Sequence, residues 1–211
     1  MSCRLAWPRR NLFIEDFMKI AYLILAAGQA SRFGSSKQLA RLPSGQTIIE
    51  QVITRLPERV REDTYVVVGA YRDQIIPLLR GVTVMVHENW AAGLGSSLSH
   101  GVAQVVDQGA YDAILIGLAD QVAVTMADLD RMLDGASKGC VVCARYAGQR
   151  GVPALFPKEK FAELIALSGD SGAKKLLNST AGDVMEIDLP NAQYDIDTVR
   201  DLEVFAQGQR D

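Results

Sequence analysis

Short apolar runs alternate with amphipathic stretches over the first half of the chain. Each run is long enough for a buried strand and too short for a membrane span. After the first run, apolar residues recur at helical spacing in a segment that begins at Thr47 and ends near Pro57. The predicted strands are 20–25, 64–68, 82–86 and 113–118.

This alternation predicts an α/β fold with a mostly parallel sheet and helices on both faces. In such sheets, ligands bind beyond the carboxyl ends of the strands. The second half is less repetitive. It contains two short predicted strands, 140–145 and 152–156, joined by a hairpin-like or crossover connection, and a last helix with Leu202 and Phe205 facing inward.

The first glycine-rich turn, residues 25–37, follows the first predicted strand. Small residues at the end of a strand leave backbone N–H groups accessible, and Gly28 and Gly34 permit positive φ. Arg32 and Lys37 add two cations, so the turn is suited to hold a nucleoside triphosphate. The glycine spacing excludes a Walker A loop and a dinucleotide fingerprint. The alternative is an ordinary strand-to-helix turn with two solvated cations.

The second glycine-rich turn, residues 87–98, also lies between a predicted strand and a predicted helix. It should therefore reach the same edge of the sheet. Gly93 permits close approach of a ligand, while Ser96 and Ser97 either cap the helix or bond a ligand. We interpret Trp90 as a packing residue at the rim and leave it outside the site.

Two acidic residues are candidate metal ligands. Asp120 emerges directly from the fourth predicted strand at the ligand edge, and Thr125 is better placed than Asp120 to cap the next helix. A carboxylate in this position suits Mg²⁺, which prefers hard oxygen ligands. Near the end of the chain, Asp195 and Asp197 would share one face if their segment were a strand.

Size and composition narrow the possible functions. The 211 residues suggest one domain, with 48% hydrophobic and 22% charged residues. A net charge of −3 argues against a nucleic-acid polymer as partner, and no run is long enough for a membrane helix. Cys140 and Cys143 have CxxC spacing, but we expect them to be buried thiols of a strand in a reducing cytoplasm. Residues 1–18 look like a loose extension or a start-site artefact before a single domain, 19–211.

The first glycine-rich turn resembles the LAAGxSxRMGxxK loop of MobA-like nucleotidyltransferases, with Ala30 and Phe33 as departures. The second resembles the Asn-x-x-Trp-x-x-Gly-Met-Gly-x-Ser block of molybdenum cofactor cytidylyltransferases, and Asp120 matches the Asp of Leu-x-Asp-Gln-Pro, with Val122 in place of Pro. Segments 151–156, 169–177 and 195–198 resemble three later family blocks in the same order. We therefore identify the chain as similar to the molybdenum cofactor cytidylyltransferase (MocA) branch of the MobA-like family.

The resemblance implies a three-layer Rossmann-like, nucleotide-diphospho-sugar-transferase-like fold and transfer of CMP from CTP to the terminal phosphate of a molybdopterin-type cofactor, with release of pyrophosphate. It implies Lys37, Arg32 and Asp120 as catalytic residues, and Asp120 with Asp197 as Mg²⁺ ligands. The implied acceptor side comprises Gly151, Pro153, Asp170 and Lys174. The implied nucleotide contacts are Leu25, Ala26, Ala27, Gly28, Arg32, Gly34, Lys37, Asn89, Gly93, Ser96 and Ser97.

Several alternatives stay open at this point. In the family, Leu-Ala-Ala-Gly accompanies CTP and Leu-Ala-Gly-Gly accompanies GTP, so residues 25–28 favour CTP, and the Ala27 methyl could exclude a purine. The acceptor could be another phosphorylated metabolite, including a sugar phosphate. The chain could also be a non-catalytic carrier that delivers the cofactor to a molybdenum hydroxylase. For Asp170, a helix N-cap is an alternative to an acceptor contact.

Overall fold

The computed structural model describes residues 18–29, 33, 36–137, 139–179, 184–196 and 198–208. It contains seven strands and seven α-helices within these ranges. The strands are β1 (Ile20–Ala26), β2 (Thr64–Val68), β3 (Thr83–Val86), β4 (Ala113–Leu118), β5 (Val141–Tyr146), β6 (Gln149–Pro157) and β7 (Val184–Asp188). The helices are α1 (Ile48–Thr54), α2 (Arg72–Ile75), α3 (Leu94–Gln108), α4 (Met126–Asp134), α5 (Phe161–Ile165), α6 (Ala173–Ser179) and α7 (Val199–Gly208).

All seven strands form one sheet in the order β3-β2-β1-β4-β6-β5-β7. Strands β3, β2, β1 and β4 run parallel to one another, and β7 runs parallel to β5. Strand β6 is antiparallel to both β4 and β5. The predicted α/β fold with a mostly parallel sheet is therefore confirmed, and β7 is a strand that the sequence analysis did not anticipate.

Alternation along the buried strands gives the sheet two apolar faces. In β1, Tyr22 and Ile24 pack on one face with residues of α1 and α4, whereas Leu23 and Leu25 pack on the other with residues of α3 and α6. This is the period of two expected for a strand whose two faces are both covered. Helices on both sides of the sheet thus complete the three layers.

A third, smaller cluster lies where the first glycine-rich turn meets the C-terminal helix. Its buried members are Leu42, Ile48, Val122 and Ile196, and the partly buried Phe33, Leu202 and Phe205 pack against it. The two inward-facing residues predicted for α7 are therefore confirmed. This cluster fixes the C-terminal segment beside the carboxyl ends of β1 and β4.

Local sequence signals explain several boundaries. Thr47 caps α1 by accepting from the Glu50 amide, while Glu50 accepts from the Thr47 amide, which completes a capping box. Thr125 and Asp128 form the same arrangement at α4, as predicted for Thr125. The two residues between β5 and β6, Ala147 and Gly148, both have positive φ, so the connection is a tight hairpin. None of the helices in the described ranges has the length and apolarity needed to cross a bilayer.

Candidate functional site

The carboxyl ends of β1 to β4 lie at one edge of the sheet, where both glycine-rich turns begin. At the first turn, Leu25, Ala26 and Ala27 are at most 7% exposed, so their side chains belong to the core. The Ala27 methyl packs with the cluster beneath α3. Its role in narrowing the space for a base stays a prediction.

Gly28 is exposed, and its φ is not in the positive range, contrary to the conformational role we expected for it. A Cβ built on Gly28 would meet no atom of the described residues within 4 Å, so these residues leave the space beyond the end of β1 open. A glycine here leaves room for a ligand rather than relieving strain. Arg32 and Gly34, the other predicted residues of this turn, lie outside the described residues.

Lys37 and Asp120 form an ion pair at this edge through Nζ and Oδ2. Their side chains are only 13% and 14% exposed. Lys37 is brought there by a single 3₁₀ turn, Lys37–Leu39, and Asp120 by the end of β4. Two residues 83 positions apart, both predicted from the sequence to be catalytic, therefore lie in direct contact.

The second carboxylate oxygen of Asp120, Oδ1, is buried and accepts no hydrogen bond from the residues that the structure describes. Leaving a buried carboxylate oxygen without a donor is costly, because it has lost its water and gained nothing in return. A divalent cation is a ligand of the right chemistry for this oxygen, because Mg²⁺ prefers hard oxygen donors. The donor present thus fits the metal that the sequence predicts.

The C-terminal segment lies against Asp120, although Asp197 itself lies outside the described residues. The amide of Ile196 donates to the backbone carbonyl of Asp120 at 3.3 Å. Residues 194–196 follow a 3₁₀ turn and are not part of a strand, so the shared strand face considered for Asp195 does not exist. Convergence of the Asp120 and Asp197 carboxylates stays a prediction.

Tyr146, at the end of β5, is a residue of this region that sequence reasoning missed. Burial raises the pKa of Tyr146, and the nearby carboxylates of Asp195 and Asp120 raise it further. Its hydroxyl occupies the space where a side chain at Gly151 would begin. The predicted acceptor residue Gly151 is therefore buried under a phenol, and its acceptor role stays a prediction. The signal available in the sequence was the position of Tyr146 at the end of a predicted strand.

Gln121 ties the end of β4 to two other elements. Its side-chain amide donates to the carbonyl of Val152 at 2.9 Å and to that of Ala192 at 3.0 Å. The side chain is buried, and so is the ring of Pro153 in β6. These bonds hold β6 and the turn before Asp195 against the end of β4.

The second glycine-rich turn is confirmed between β3 and α3, but its serines do not cap the helix. Helix α3 begins at Leu94 after Gly93, whose φ is +106°, a value that favours glycine. Ser97 is buried and donates to the Gly93 carbonyl at 3.5 Å, while Ser96 lies 3.0 Å from Nε2 of His87. Asn89 is exposed at the preceding 3₁₀ turn.

Two histidines stack behind this turn. The rings of His87 and His100 lie 4.5 Å apart between centroids, at 29°. Burial lowers the pKa of His87, and the neighbouring His100 lowers it further. Ser96 is thus held by an imidazole that stays neutral at neutral pH.

Trp90 packs at the rim, as predicted. A Cβ on Gly69, which follows β2, would lie 2.5 Å from Cβ of Trp90 and 2.9 Å from the Ala27 carbonyl oxygen. That carbonyl also accepts from the amide of Ala70 at 3.0 Å. The glycine after β2 therefore makes room for the indole stem beside the first glycine-rich turn.

The predicted nucleotide side and acceptor side meet at one backbone contact. The amide of Gly95 donates to the Gly169 carbonyl at 2.7 Å. A Cβ on Gly93 would lie 2.5 Å from that carbonyl and 2.6 Å from Oδ1 of Asp170. Asp170 is not the N-cap that we considered, because α6 begins three residues later at Ala173. Lys174 is exposed and donates to Oε1 of Gln149 at 2.7 Å.

The cysteines behave only partly as predicted. Cys143 is buried in β5, and burial raises the pKa of its thiol to about 11. Cys140 precedes the strand and is half-buried, which corrects the expectation for that residue. Within the described ranges, no group of three or more His, Cys, Asp or Glu side chains could hold a metal ion.

The model of the MobA-like NTP transferase domain matches residues 22–184. Three solved structures share the fold. The first is the Rv0371c protein of Mycobacterium tuberculosis H37Rv, 27% identical with a TM-score of 0.76, covering 90% of this chain and 98% of that chain. The second is a nucleotidyl transferase from Methanothermobacter thermautotroptrophicus, 24% identical with a TM-score of 0.74, covering 90% and 97%.

The third is the molybdopterin-guanine dinucleotide biosynthesis protein A of Archaeoglobus fulgidus, which is 14% identical with a TM-score of 0.64 and covers 90% of this chain and 98% of that chain. No curated protein matches the sequence. The domain match spans the elements from β1 to the start of β7, which include Lys37, Asp120 and both glycine-rich turns.

Proposed function

Since the chain belongs to the MobA-like NTP transferase family, we propose that it transfers CMP from CTP to the terminal phosphate of a molybdopterin-type cofactor and releases pyrophosphate. Nucleotidyl transfer is the chemistry of the family. The observation that carries the proposal is the largely buried Lys37–Asp120 pair, with side chains 13% and 14% exposed, beside the first glycine-rich turn. This arrangement offers a cation for phosphate and an acid for a metal at one point.

The proposed reaction needs positioning and charge neutralisation more than proton transfer. The acceptor is already a phosphate anion, so no general base has to activate it. Lys37, together with Arg32 and the backbone amides around Gly28 and Gly34, would hold the triphosphate in line with the acceptor. The half-exposed Asp195 and Tyr146 would border the same space from the C-terminal side.

A divalent cation, Mg²⁺ in our proposal, would be held by Asp120 and Asp197. Asp120 fits, because its Oδ1 is buried and accepts no hydrogen bond from the described residues. When bound, such an ion would neutralise charge on phosphate oxygens. Asp197 enters this proposal through the resemblance of residues 195–198 to the family's Asp-x-Asp-Thr block.

The choice of CTP over GTP rests on the Leu-Ala-Ala-Gly pattern of residues 25–28 alone, since the Ala27 methyl is buried. Parallel assays of pyrophosphate release with CTP and GTP test this choice. We expect CTP to support the faster transfer, and a preference for GTP would contradict the base assignment while leaving nucleotidyl transfer intact.

The acceptor is tested by supplying CTP and Mg²⁺ with a panel of phosphorylated acceptors that includes molybdenum cofactor and sugar phosphates. We expect pyrophosphate release with the cofactor only. Faster release with a sugar phosphate would replace the proposed acceptor. Binding of the cofactor without any pyrophosphate release would indicate a carrier. We expect a molybdenum hydroxylase to receive the product.

A further inference from the structure

The β5–β6 hairpin borders a second cleft, which we call the hairpin cleft, of about 450 Å³. Because β6 is antiparallel to both β4 and β5, the end of β5 and the start of β6 lie at the edge where Asp120 leaves β4. The hairpin cleft is therefore on the ligand-binding edge. It is lined by Arg145, Gly148, Gln149, Arg150, Asn178 and Glu186.

One carboxylate in the hairpin cleft is shared by two guanidinium groups. Nε of Arg150 lies 2.8 Å from Oε1 of Glu186, and Nη1 of Arg145 lies 3.6 Å from Oε2. The hydrogen bond from Arg150 holds the pKa of Glu186 below its usual range. Two positive charges thus face one negative charge in the lining.

A third cation, Lys174, stands at the rim. Its ammonium is bonded to the neutral amide oxygen of Gln149 at 2.7 Å. Asp188 pairs with Arg145 in the strand register but does not line the hairpin cleft. Among the described residues, the lining and rim of the hairpin cleft therefore carry three cations and one acid.

The geometry suits an oxyanion ligand better than a structural role. Arg150 is anchored, because its Nη1 also donates to the Leu177 carbonyl at 3.1 Å. Arg145 is 57% exposed, and exposed ion pairs of this kind contribute little to stability. Guanidinium groups match the oxygens of phosphate and carboxylate groups, and Glu186 already places a carboxylate between the two arginines.

We propose that the hairpin cleft binds an oxyanion, phosphate or carboxylate, separately from the triphosphate at the first glycine-rich turn. Arg150 is the fixed donor, Arg145 and Lys174 supply the remaining charge, and Glu186 competes with the ligand. The binding of an anion at the hairpin cleft does not rest on the proposed function.

The test is a titration of the full chain with inorganic phosphate and, separately, malonate, without CTP. The side-chain Nε–H NMR signals of Arg145 and Arg150 report the hairpin cleft and not the first glycine-rich turn. We expect both signals to shift on addition of phosphate or of malonate. The anion that binds with the lower Kd identifies the class of ligand. Arg145→Gln and Lys174→Gln should each weaken that binding about fivefold.

Glu186→Gln should have the opposite effect on anion affinity. It removes the competing carboxylate and should tighten anion binding about fivefold. The matched control is Arg59→Gln. Arg59 is an exposed arginine paired with Asp134 at 2.6 Å, and it precedes β2 at the opposite edge of the sheet. This control should leave the anion affinity unchanged, and the Tm of every variant verifies that it is folded.

Absence of shifts with both anions would overturn the inference, as would weaker binding in the Glu186→Gln variant. Either result would indicate that Arg145, Arg150 and Glu186 form only a surface ion-pair group. Failure of CMP transfer would not touch these measurements, because they use neither CTP nor turnover.

Discussion

Two charge clusters lie on one edge of the sheet and differ mainly in burial. The side chains of the Lys37–Asp120 ion pair are 13% and 14% exposed. Those of Arg145 and Glu186 are 57% and 30% exposed, and Glu186 is shared between Arg145 and Arg150. Charges attract more strongly where water is excluded, and exposed pairs are screened by solvent and salt. The buried pair is therefore suited to fix catalytic geometry, and the exposed cluster to exchange its partner for a ligand.

The largest effect on activity is expected from Asp120→Asn. It removes the carboxylate that pairs with Lys37 and the oxygen available to a metal. We expect the rate of nucleotidyl transfer to fall at least about 10²–10³-fold, or about 3–4 kcal/mol. Initial rates over a Mg²⁺ titration measure the loss.

Asp112→Asn is the matched control, because Asp112 stands at the other end of β4 and accepts from the Lys19 amide at 2.9 Å. It should keep a near-normal rate. Near-normal turnover of the Asp120→Asn variant at saturating Mg²⁺ would show that the site is wrongly placed.

Lys37→Ala comes next, with an expected loss of about 10²–10³ in rate through the missing phosphate donor. Steady-state kinetics with CTP measures it. Lys158→Ala serves as control, since this exposed lysine follows the far end of β6. If Arg145→Gln lowered the transfer rate as much as Lys37→Ala, the proposed difference in role between the two charge clusters would be wrong.

Gly93→Ala tests the contact between the second glycine-rich turn and the segment at Gly169. A Cβ there would lie 2.5 Å from the Gly169 carbonyl, at a φ of +106°. We expect a loss of about 2–3 kcal/mol in the free energy of unfolding, or about 5–10 °C in Tm. Thermal denaturation measures it.

Gly28→Ala is the counterpart, because a Cβ at Gly28 meets no atom of the described residues within 4 Å. Its stability should change by less than about 0.5 kcal/mol, while CTP binding weakens. Equal Tm losses in the two variants would show that the contact near Gly169 is unimportant.

A smaller effect is expected from pH through His87. Its pKa is lowered in the folded chain by burial and then by His100. In the unfolded chain the pKa of His87 is about 6.5, so below that pH the unfolded chain binds the proton more readily than the folded chain. The contribution of His87 to the free energy of unfolding is therefore fully present above about pH 6.5 and is lost as the pH falls through the pKa of the folded chain. His100→Gln should raise the pKa of His87. NMR titration of the His87 ring measures the shift, and a downward shift would show that His100 does not lower this pKa.

The smallest effect is expected from removing the N-terminal extension. A chain that begins at Met18 keeps β1 and the partly buried Met18 side chain that packs on the core. We expect its Tm and CMP-transfer rate to match those of the full chain. Loss of activity in this shorter chain would give the extension a role in the reaction.

Periodicity predicted the sheet because β1, β2 and β4 are buried, largely apolar runs and β3, although mostly exposed, is also largely apolar. The ends of these strands indicated the edge where Lys37 and Asp120 meet. The remainder depended on long-range packing. Strand β7 has mostly exposed side chains and no apolar run, so its pattern gave no signal. The burial of Gly151 under Tyr146 and the contact of Gly93 with Gly169 join elements distant along the chain, which spacing alone does not reveal.

The contact between Gly69 and Trp90 constrains how this sequence can diverge. Because a Cβ at Gly69 would lie 2.5 Å from Cβ of Trp90 and 2.9 Å from the Ala27 carbonyl, a larger residue cannot enter at 69 while the backbone at 90 stays in place. Homologues with a side chain at position 69 should therefore also carry a rebuilt or shortened loop around 90. Substitutions at these two positions should be inherited together.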